Sequence, residues 1–321
     1  MRFELRPALL CFLLLLFSSV SAAAEKVRFA IPSRSVSIMP VFVAFKEGFY
    51  RDEELDVEII NMSSQMAVTA TVAGSVEFSS SPGSATNAAV RGIDLKTIFV
   101  VGQKPLHDLI THPNIRSFGE LKGKIVGVDT FGSMSDSLTR GMLRKNGLEP
   151  DRDVAVRMVG TDNLRIAALK NGIVSASVMT LPYNFLAVKD GFRRLAYAGD
   201  YEEVIIGGVV TTGKLLKDQT AKVSRFVRAT LKGLNFYKAD KSKSLLYMTE
   251  FLKIQDSRFL EASYDYHRAT LTDGGVISSS LMERVIEDAK RFTKTERDVK
   301  KDDVFDFSLA EKFGGQSKRS R

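Results

Sequence analysis

Apolar positions along this chain change period repeatedly, from every second residue to three or four residues apart. Residues 27–31 (VRFAI) alternate and predict a strand, and 40–46 (PVFVAFK) carry a helical pattern that Gly48 stops. A strand is predicted over 56–60, a helix over 65–73 ended by Gly74, and a short strand over 77–80. A helix over 85–91 ended by Gly92 and a strand over 95–101 (LKTIFVV) follow. Strands alternating in this way with helices predict an α/β sheet of parallel strands.

The alternation then starts again. A short helix over 117–121 precedes a strand over 124–129 (KIVGVD). An amphipathic helix over 135–146, with Leu138, Met142 and Leu143 on one side, is stopped by Gly147. Strands over 154–159, 175–180 and 193–198 enclose helices over 163–171, stopped by Gly172, and 183–189. After one more strand, 209–212 (VVTT), the pattern becomes helical over 223–237, 242–252, 256–269 and 279–292. The chain from about Thr293 is strongly charged, and its last residues (GGQSKRSR) predict an unstructured end. One local unit recurs: 72–78 (VAGSVEF) and 169–176 (LKNGIVSA) are each a helix end, a glycine, then a strand. This is one unit used once in each of two similar lobes, not a solenoid repeat.

Composition changes the picture mainly at the start. Arg2 and Arg6 precede the apolar run 9–17 (LLCFLLLLF), and 18–24 (SSVSAAA) supply small residues. That is the layout of a secretory signal peptide over 1–24, with cleavage expected near 22–24. The run is too short to span a bilayer. The one cysteine, Cys11, would leave with it, so thiol nucleophiles, disulfides and cysteine metal sites are not expected in the exported chain. The formal charge of +8 falls to +7 without Arg2, Arg6 and Glu4. Basic residues are scattered, apart from Lys318, Arg319 and Arg321, and no tryptophan is present. A solvated basic surface is expected rather than a nucleic-acid site, with a mild preference for an anionic solute.

Candidate chemistry lies at three strand-to-helix junctions rich in serine, glycine and threonine: 33–37 (SRSVS), 79–84 (SSSPGS) and 130–135 (TFGSMS). In open parallel sheets, ligands bind beyond the carboxyl ends of the strands. Free N–H groups at helix starts hold anionic or polar groups, and hydroxyls donate or accept as required. Serine and threonine are also ordinary helix caps, which would explain any one junction. Three of them, spread over the two lobes, point to a ligand cleft, where Gly132 lets backbone approach the ligand. Two further loops, 160–163 (GTDN) and 180–184 (TLPYN), extend it. Thr161 and Asp162 equally suit capping there, and Tyr183 equally suits packing. Arg34 either pairs with an anionic group or points to solvent.

Enzymatic signatures are lacking. His107 and His112 fall in the expected inter-lobe crossover, and His267 stands alone. No phosphate-binding loop, dinucleotide fingerprint or nucleophile elbow occurs. No catalytic residue, metal or cofactor is assigned.

At these residues the chain resembles the substrate-binding proteins of ABC transporters of the nitrate/sulfonate/taurine and thiamine-precursor type. The resemblance is carried by 40–50 (PVFVAFKEGFY) running into 55–58, by 73–84 (AGSVEFSSSPGS) and by 118–141 (FGELKGKIVGVDTFGSMSDSLTRG). It continues through 146–150 (NGLEP), 167–176 (AALKNGIVSA) and 209–212, and covers nearly all of the chain after the leader. It implies a type II periplasmic binding fold, an α/β architecture of two lobes joined by two crossovers with a ligand cleft between them. Lobe 1 is then expected from 26–104 and 213–310, lobe 2 from 105–212, and a disordered basic tail from 311–321. The resemblance further implies a periplasmic protein that binds a small anionic or aromatic/heterocyclic molecule, and a monomer is expected. Hinge closure would capture that molecule for an ABC permease of the inner membrane, without catalysis. Carried over residue by residue, it assigns ligand contacts to Ser35, Ser37, Gln65, Ser81, Ser84, Gly132, Ser133, Ser135, Thr161 and Tyr183. Two alternatives are an enzyme of the thiamine-pyrimidine-precursor type on the same fold, whose signature is cysteine-rich, and a periplasmic sensor subunit.

Overall fold

The computed structural model describes residues 24–32 and 34–319; the expected signal segment up to Ala23, and Ser33, lie outside the described residues. The chain first lays down β1 (Glu25–Ile31), α1 (Met39–Lys46), α2 (Phe49–Asp52), β2 (Leu55–Asn61), α3 (Ser64–Val72), β3 (Phe78–Ser79), α4 (Pro82–Ala89) and β4 (Lys96–Gly102). A second set follows: β5 (His107–Thr111), β6 (Ile125–Val128), α5 (Met134–Lys145), β7 (Ala155–Met158), α6 (Asp162–Lys170), β8 (Ala176–Thr180), α7 (Tyr183–Lys189) and β9 (Arg193–Tyr197). The chain returns through β10 (Ile206–Thr211) and ends in α8 (Gly213–Asp218), α9 (Thr220–Ala239), α10 (Lys241–Leu252), α11 (Ser257–Arg268), α12 (Ser279–Thr293), α13 (Lys301–Val304) and α14 (Ser308–Arg319).

Two five-stranded sheets result, ordered β2-β1-β3-β10-β4 and β7-β6-β8-β5-β9. They have the same plan. In each, the fourth strand runs antiparallel to its neighbours and comes from the far side of an inter-lobe crossover. The sheets are therefore mixed, not purely parallel as the strand–helix alternation suggested. The recurring sequence unit has one geometry in both lobes. Gly74 and Gly172 take φ of +73° and +67°. The two amides after each glycine then return to the carbonyl of Ala70 or of Ala168. A left-handed residue closes the helix end in this way, and glycine adopts it without a Cβ clash.

Three expectations are corrected. The lobe 2 boundary does not lie at 212. Residues 206–211 form β10, which pairs with β3 and β4 of lobe 1, so the return crossing falls at about 198–205. His107 is not in a crossover but begins β5, a strand paired on both sides within lobe 2. The tail does not lose structure at 311. Helix α14 continues to Arg319, because Leu309, Ala310 and Phe313 share a face that packs onto the lobe 1 core.

The lobe 1 core lies between its sheet and α1, α9, α10 and α11. Phe226 of α9 sits at its centre, with ring centroids 4.1 Å from Phe78, 4.8 Å from Tyr50 and 5.7 Å from Phe29. Lobe 2 has its own core of Leu109, Val126, Val128, Leu138, Met142 and Val178. His267 of α11 is buried in lobe 1, with Nδ1 3.1 Å from the Tyr237 hydroxyl and Nε2 without a partner. Burial pushes its pKa down to about 3, so it is neutral in the fold while the unfolded chain binds a proton below about pH 6.5. Stability from this residue is therefore present above pH 6.5 and drains as pH falls toward 3, at up to about 1.4 kcal/mol per pH unit. His267→Gln is expected to flatten the fall in urea-unfolding free energy between pH 6 and pH 4. A slope identical to that of the parent protein would contradict it.

Candidate functional site

The topology itself places a cleft. The first crossover leaves the carboxyl end of β4 and enters β5, which runs antiparallel to β8. The carboxyl ends of the parallel strands in the two sheets are therefore turned toward each other. The crossovers are tied together by the Val204 N–H donating to the Gln103 carbonyl at 3.2 Å. Strands β4, β10, β5 and β9 lie at this hinge end, so β2 and β7, at the opposite ends of their sheets, flank the mouth.

On the lobe 1 side, Ser35 is the N-cap of the 3-10 turn Val36–Ile38 and Ser37 its middle residue; both are half-buried, with their hydroxyls 2.6 Å apart. The turn sits against β10: a Cβ on Gly207 would lie 2.2 Å from the Ser37 carbonyl oxygen. Ser81 holds the N-cap position of α4 but makes no capping bond, and its buried hydroxyl has no partner. The neighbouring Ser80 hydroxyl is equally buried and unpartnered. Ser84 is half-buried in the first turn of α4, and the space beside Gly83 is open. The Ser79 hydroxyl beside those of Ser80 and Ser81 is likewise buried, so three consecutive serines ahead of α4 carry hydroxyls that no other described group satisfies. Gln65, exposed in the first turn of α3, stands at the mouth.

On the lobe 2 side the hydroxyls are already engaged. Ser133 caps α5 by accepting the Asp136 N–H, and Ser135 accepts the Asp129 N–H at 2.9 Å. The two hydroxyls lie 3.0 Å apart. Gly132, at φ +77°, donates its N–H to Asp136 at 2.8 Å. Over it lies Phe292 of α12, so close that a Cβ there would fall 1.8 Å from the ring. Thr161 is exposed at the N-cap of α6 without a capping bond. Tyr183 opens α7, half-buried, and packs against the Ile110 and Met179 cluster.

Arg165 and Asp129 were not singled out by sequence reasoning, whereas Asp162 and Arg34 were. Arg165, the fourth residue of α6, reads as surface but is 3% exposed. Its guanidinium donates to the Gly160 carbonyl and pairs with Asp162 at 2.6 Å, leaving Nε without a partner. Asp162 also accepts the Thr180 N–H, tying the ends of β7 and β8 together. Burial holds the Asp162 carboxyl above the usual range, with Arg165 pulling it down. The carboxylate of Asp129, half-buried just after β6, makes no hydrogen bond or ion pair among the described residues, although its backbone N–H donates to Ser135 and its carbonyl accepts from Gly160. Arg34 turns out of the cleft and lies over the Phe251 ring at 5.8 Å. It lines a groove of about 920 Å3 along the free edge of β2, which none of the ten expected contacts lines.

The two sides differ in charge. The first turn of α4 carries no acidic residue. Those of α5 and α6 hold Asp136 and Asp162, which already offset the positive ends of their helix dipoles. The arrangement suits a ligand that accepts hydrogen bonds toward α4 and donates them toward Asp129. Among the described residues no group of acidic, histidine or cysteine side chains is placed to hold a metal ion, and no helix is long and apolar enough to cross a membrane.

Residues 35–243 match the model of a family described as NMT1/THI5 like. No curated protein matches the chain in sequence. Among solved structures, it is similar to the periplasmic aliphatic sulphonate binding protein SsuA from Escherichia coli, at 18% identity and TM-score 0.70, over 84% of this chain and 87% of that one. It is similar to the periplasmic nitrate-binding protein NrtA from Synechocystis PCC 6803, at 13% identity and TM-score 0.72, over 92% and 89%. The desulfurization enzyme DSZB has the same fold, at 12% identity and TM-score 0.70, over 92% of this chain and all of that one. Such identities establish the shared periplasmic binding fold with its two lobes.

Proposed function

This chain belongs to the NMT1/THI5-like family, and from that we propose that it is the solute-binding component of an importer. It captures a small molecule between its lobes in the periplasm and hands it to a membrane permease. The observation that carries this reading is the run of buried hydroxyls of Ser79, Ser80 and Ser81 from the end of β3 to the N-cap of α4, which have no partner among the described residues and stand at the carboxyl end of a lobe 1 strand. A solute with an acceptor group satisfies them, and closure of the lobes removes it from water. Asp129 on the opposite side favours a donor at the solute's other end, which fits a dipolar or heterocyclic molecule better than a bare oxyanion.

Native mass spectrometry of protein purified without refolding tests this, because a retained solute appears as added mass. In parallel, alkanesulfonates, nitrate and amino-substituted pyrimidines are screened for thermal stabilisation. Absence of both retained mass and stabilisation would overturn the reading. For a solute so found, Ser81→Ala is expected to weaken binding about 5- to 10-fold, one lost hydrogen bond. The same change leaves the melting temperature unchanged or slightly raised, because it removes a buried group that has no partner in the folded chain. The likeness to DSZB supports one other reading, an enzyme on this fold. Under that reading the bound solute is recovered chemically altered; under solute capture it is recovered unchanged.

A further inference from the structure

We infer that α11, a helix of lobe 1, is the brace that holds the two lobes at the spacing seen in this structure, with Phe259 and Tyr266 as positioning residues for the cleft. The helix has two working faces. Leu260, Ser263, Tyr264 and His267 are buried in lobe 1. Phe259 and Tyr266, seven residues and two turns apart, share another face, and both touch lobe 2. The Phe259 ring meets Phe185 of α7 edge-on, with centroids 5.4 Å apart. The Tyr266 ring meets Tyr197 of β9 at 5.0 Å, and its hydroxyl donates to Asp108 of β5 at 3.4 Å. Asp256, the N-cap of α11, pairs across the same seam with Lys189 at 3.5 Å. Four contacts from a single helix and its N-cap thus reach three elements of the other lobe, α7, β9 and β5.

The strength of these contacts is graded in a way that suits a seam. Asp108, 2% exposed, is held inside lobe 2 by Asn184 at 2.7 Å and by Arg194 at 2.9 Å. The Arg194 guanidinium also lies 5.7 Å from the Tyr197 ring and 5.9 Å from the Tyr266 ring. The bonds within the lobe are short, and the cross-lobe bond is long. Withdrawing Tyr266 leaves the buried carboxylate still paired, so the seam opens without stranding a charge or unfolding either lobe. It does expose aromatic surface, which favours the spacing at which these rings meet. The helix therefore biases a two-state opening whose position sets how readily the cleft closes on a solute.

This inference rests on the solute-capture reading for its consequence, but its test does not. Small-angle X-ray scattering is recorded on the ligand-free protein and on Tyr266→Phe, Phe259→Ala and the double variant. The double variant is expected to have a radius of gyration a few per cent above the parent's roughly 19 Å, with unchanged far-UV circular dichroism. Tyr266→Phe, which deletes one oxygen, is expected to speed amide exchange in 183–197 several-fold without changing it in the lobe 2 core strand 125–128. An unchanged radius in a folded double variant overturns the inference. So does unchanged exchange in Tyr266→Phe, which remains decisive if Phe259→Ala does not fold. Failure to find a solute leaves both readouts intact.

Discussion

Gly132→Ala is expected to lower affinity for the captured solute about tenfold and to lower stability by about 1–2 kcal/mol. The two losses have separate causes. At φ +77°, an L-residue with a Cβ crowds its own carbonyl, which costs about 1–2 kcal/mol whether the lobes are open or closed. The new methyl would also fall 1.8 Å from the Phe292 ring, so α12 cannot keep that ring over the loop when the lobes come together. This second effect acts only at a lobe spacing that brings α12 over the loop, and so is expected to appear in binding. Adding Phe292→Ala removes the obstacle but not the backbone strain. The double variant is expected to recover affinity relative to Gly132→Ala while remaining as unstable, a non-additivity read from a double-mutant cycle by calorimetry and thermal melting. If affinity in the double variant stays at the level of Gly132→Ala, the ring is not what closure depends on.

Phe226→Ala is expected to be the most damaging single truncation in lobe 1, costing about 3–5 kcal/mol. The ring is fully buried among Phe29, Tyr50 and Phe78, and its removal leaves three aromatic faces around a void. Tyr50 cannot swing freely into that space, since its hydroxyl is held 2.9 Å from the Thr230 hydroxyl. The core of lobe 2 shares none of these residues. Limited proteolysis is therefore expected to speed up within 24–102 and 206–304 while a fragment containing 107–197 persists. Equal loss of both lobes would show that they unfold as one unit. A melting temperature within a degree of the parent's would contradict the packing argument.

Much of the fold was legible in the sequence because glycine punctuates it. Gly48, Gly74, Gly147 and Gly172 all take positive φ after helices, where the pattern placed helix ends. β5 escaped because its alternation does not look like one: Asp108 occupies a buried position that apolar residues usually fill, and only Asn184, Arg194 and Tyr266 make it tolerable there. The return strand was cut off at the wrong place because Ile206, Gly207 and Gly208 carry little strand signal, and their partners on β4 lie about a hundred residues earlier. In the candidate site, sequence could nominate hydroxyls but not tell engaged ones from free ones. Ser133 and Ser135 are occupied by amides of their own loop, whereas Ser80 and Ser81 are not. That difference depends on how each loop turns its N–H groups. Arg165 and Phe292 were invisible for a related reason: one is a charge hidden by pairing, the other an exposed aromatic brought in by a distant helix.

The insertion of β10 between β3 and β4 sets an order in time as well as in space. Lobe 2 completes its sheet from one continuous stretch, 107–197. Lobe 1 is begun first yet stays open along the β3 and β4 edges until residue 211 has arrived, so its last strand closes a loop longer than the whole of lobe 2. Contacts between residues so far apart form slowly. The half of the protein that carries the free serines is therefore the last to become native. During that wait two unpaired strand edges are exposed, and they are where a folding helper, or an aggregate, would take hold.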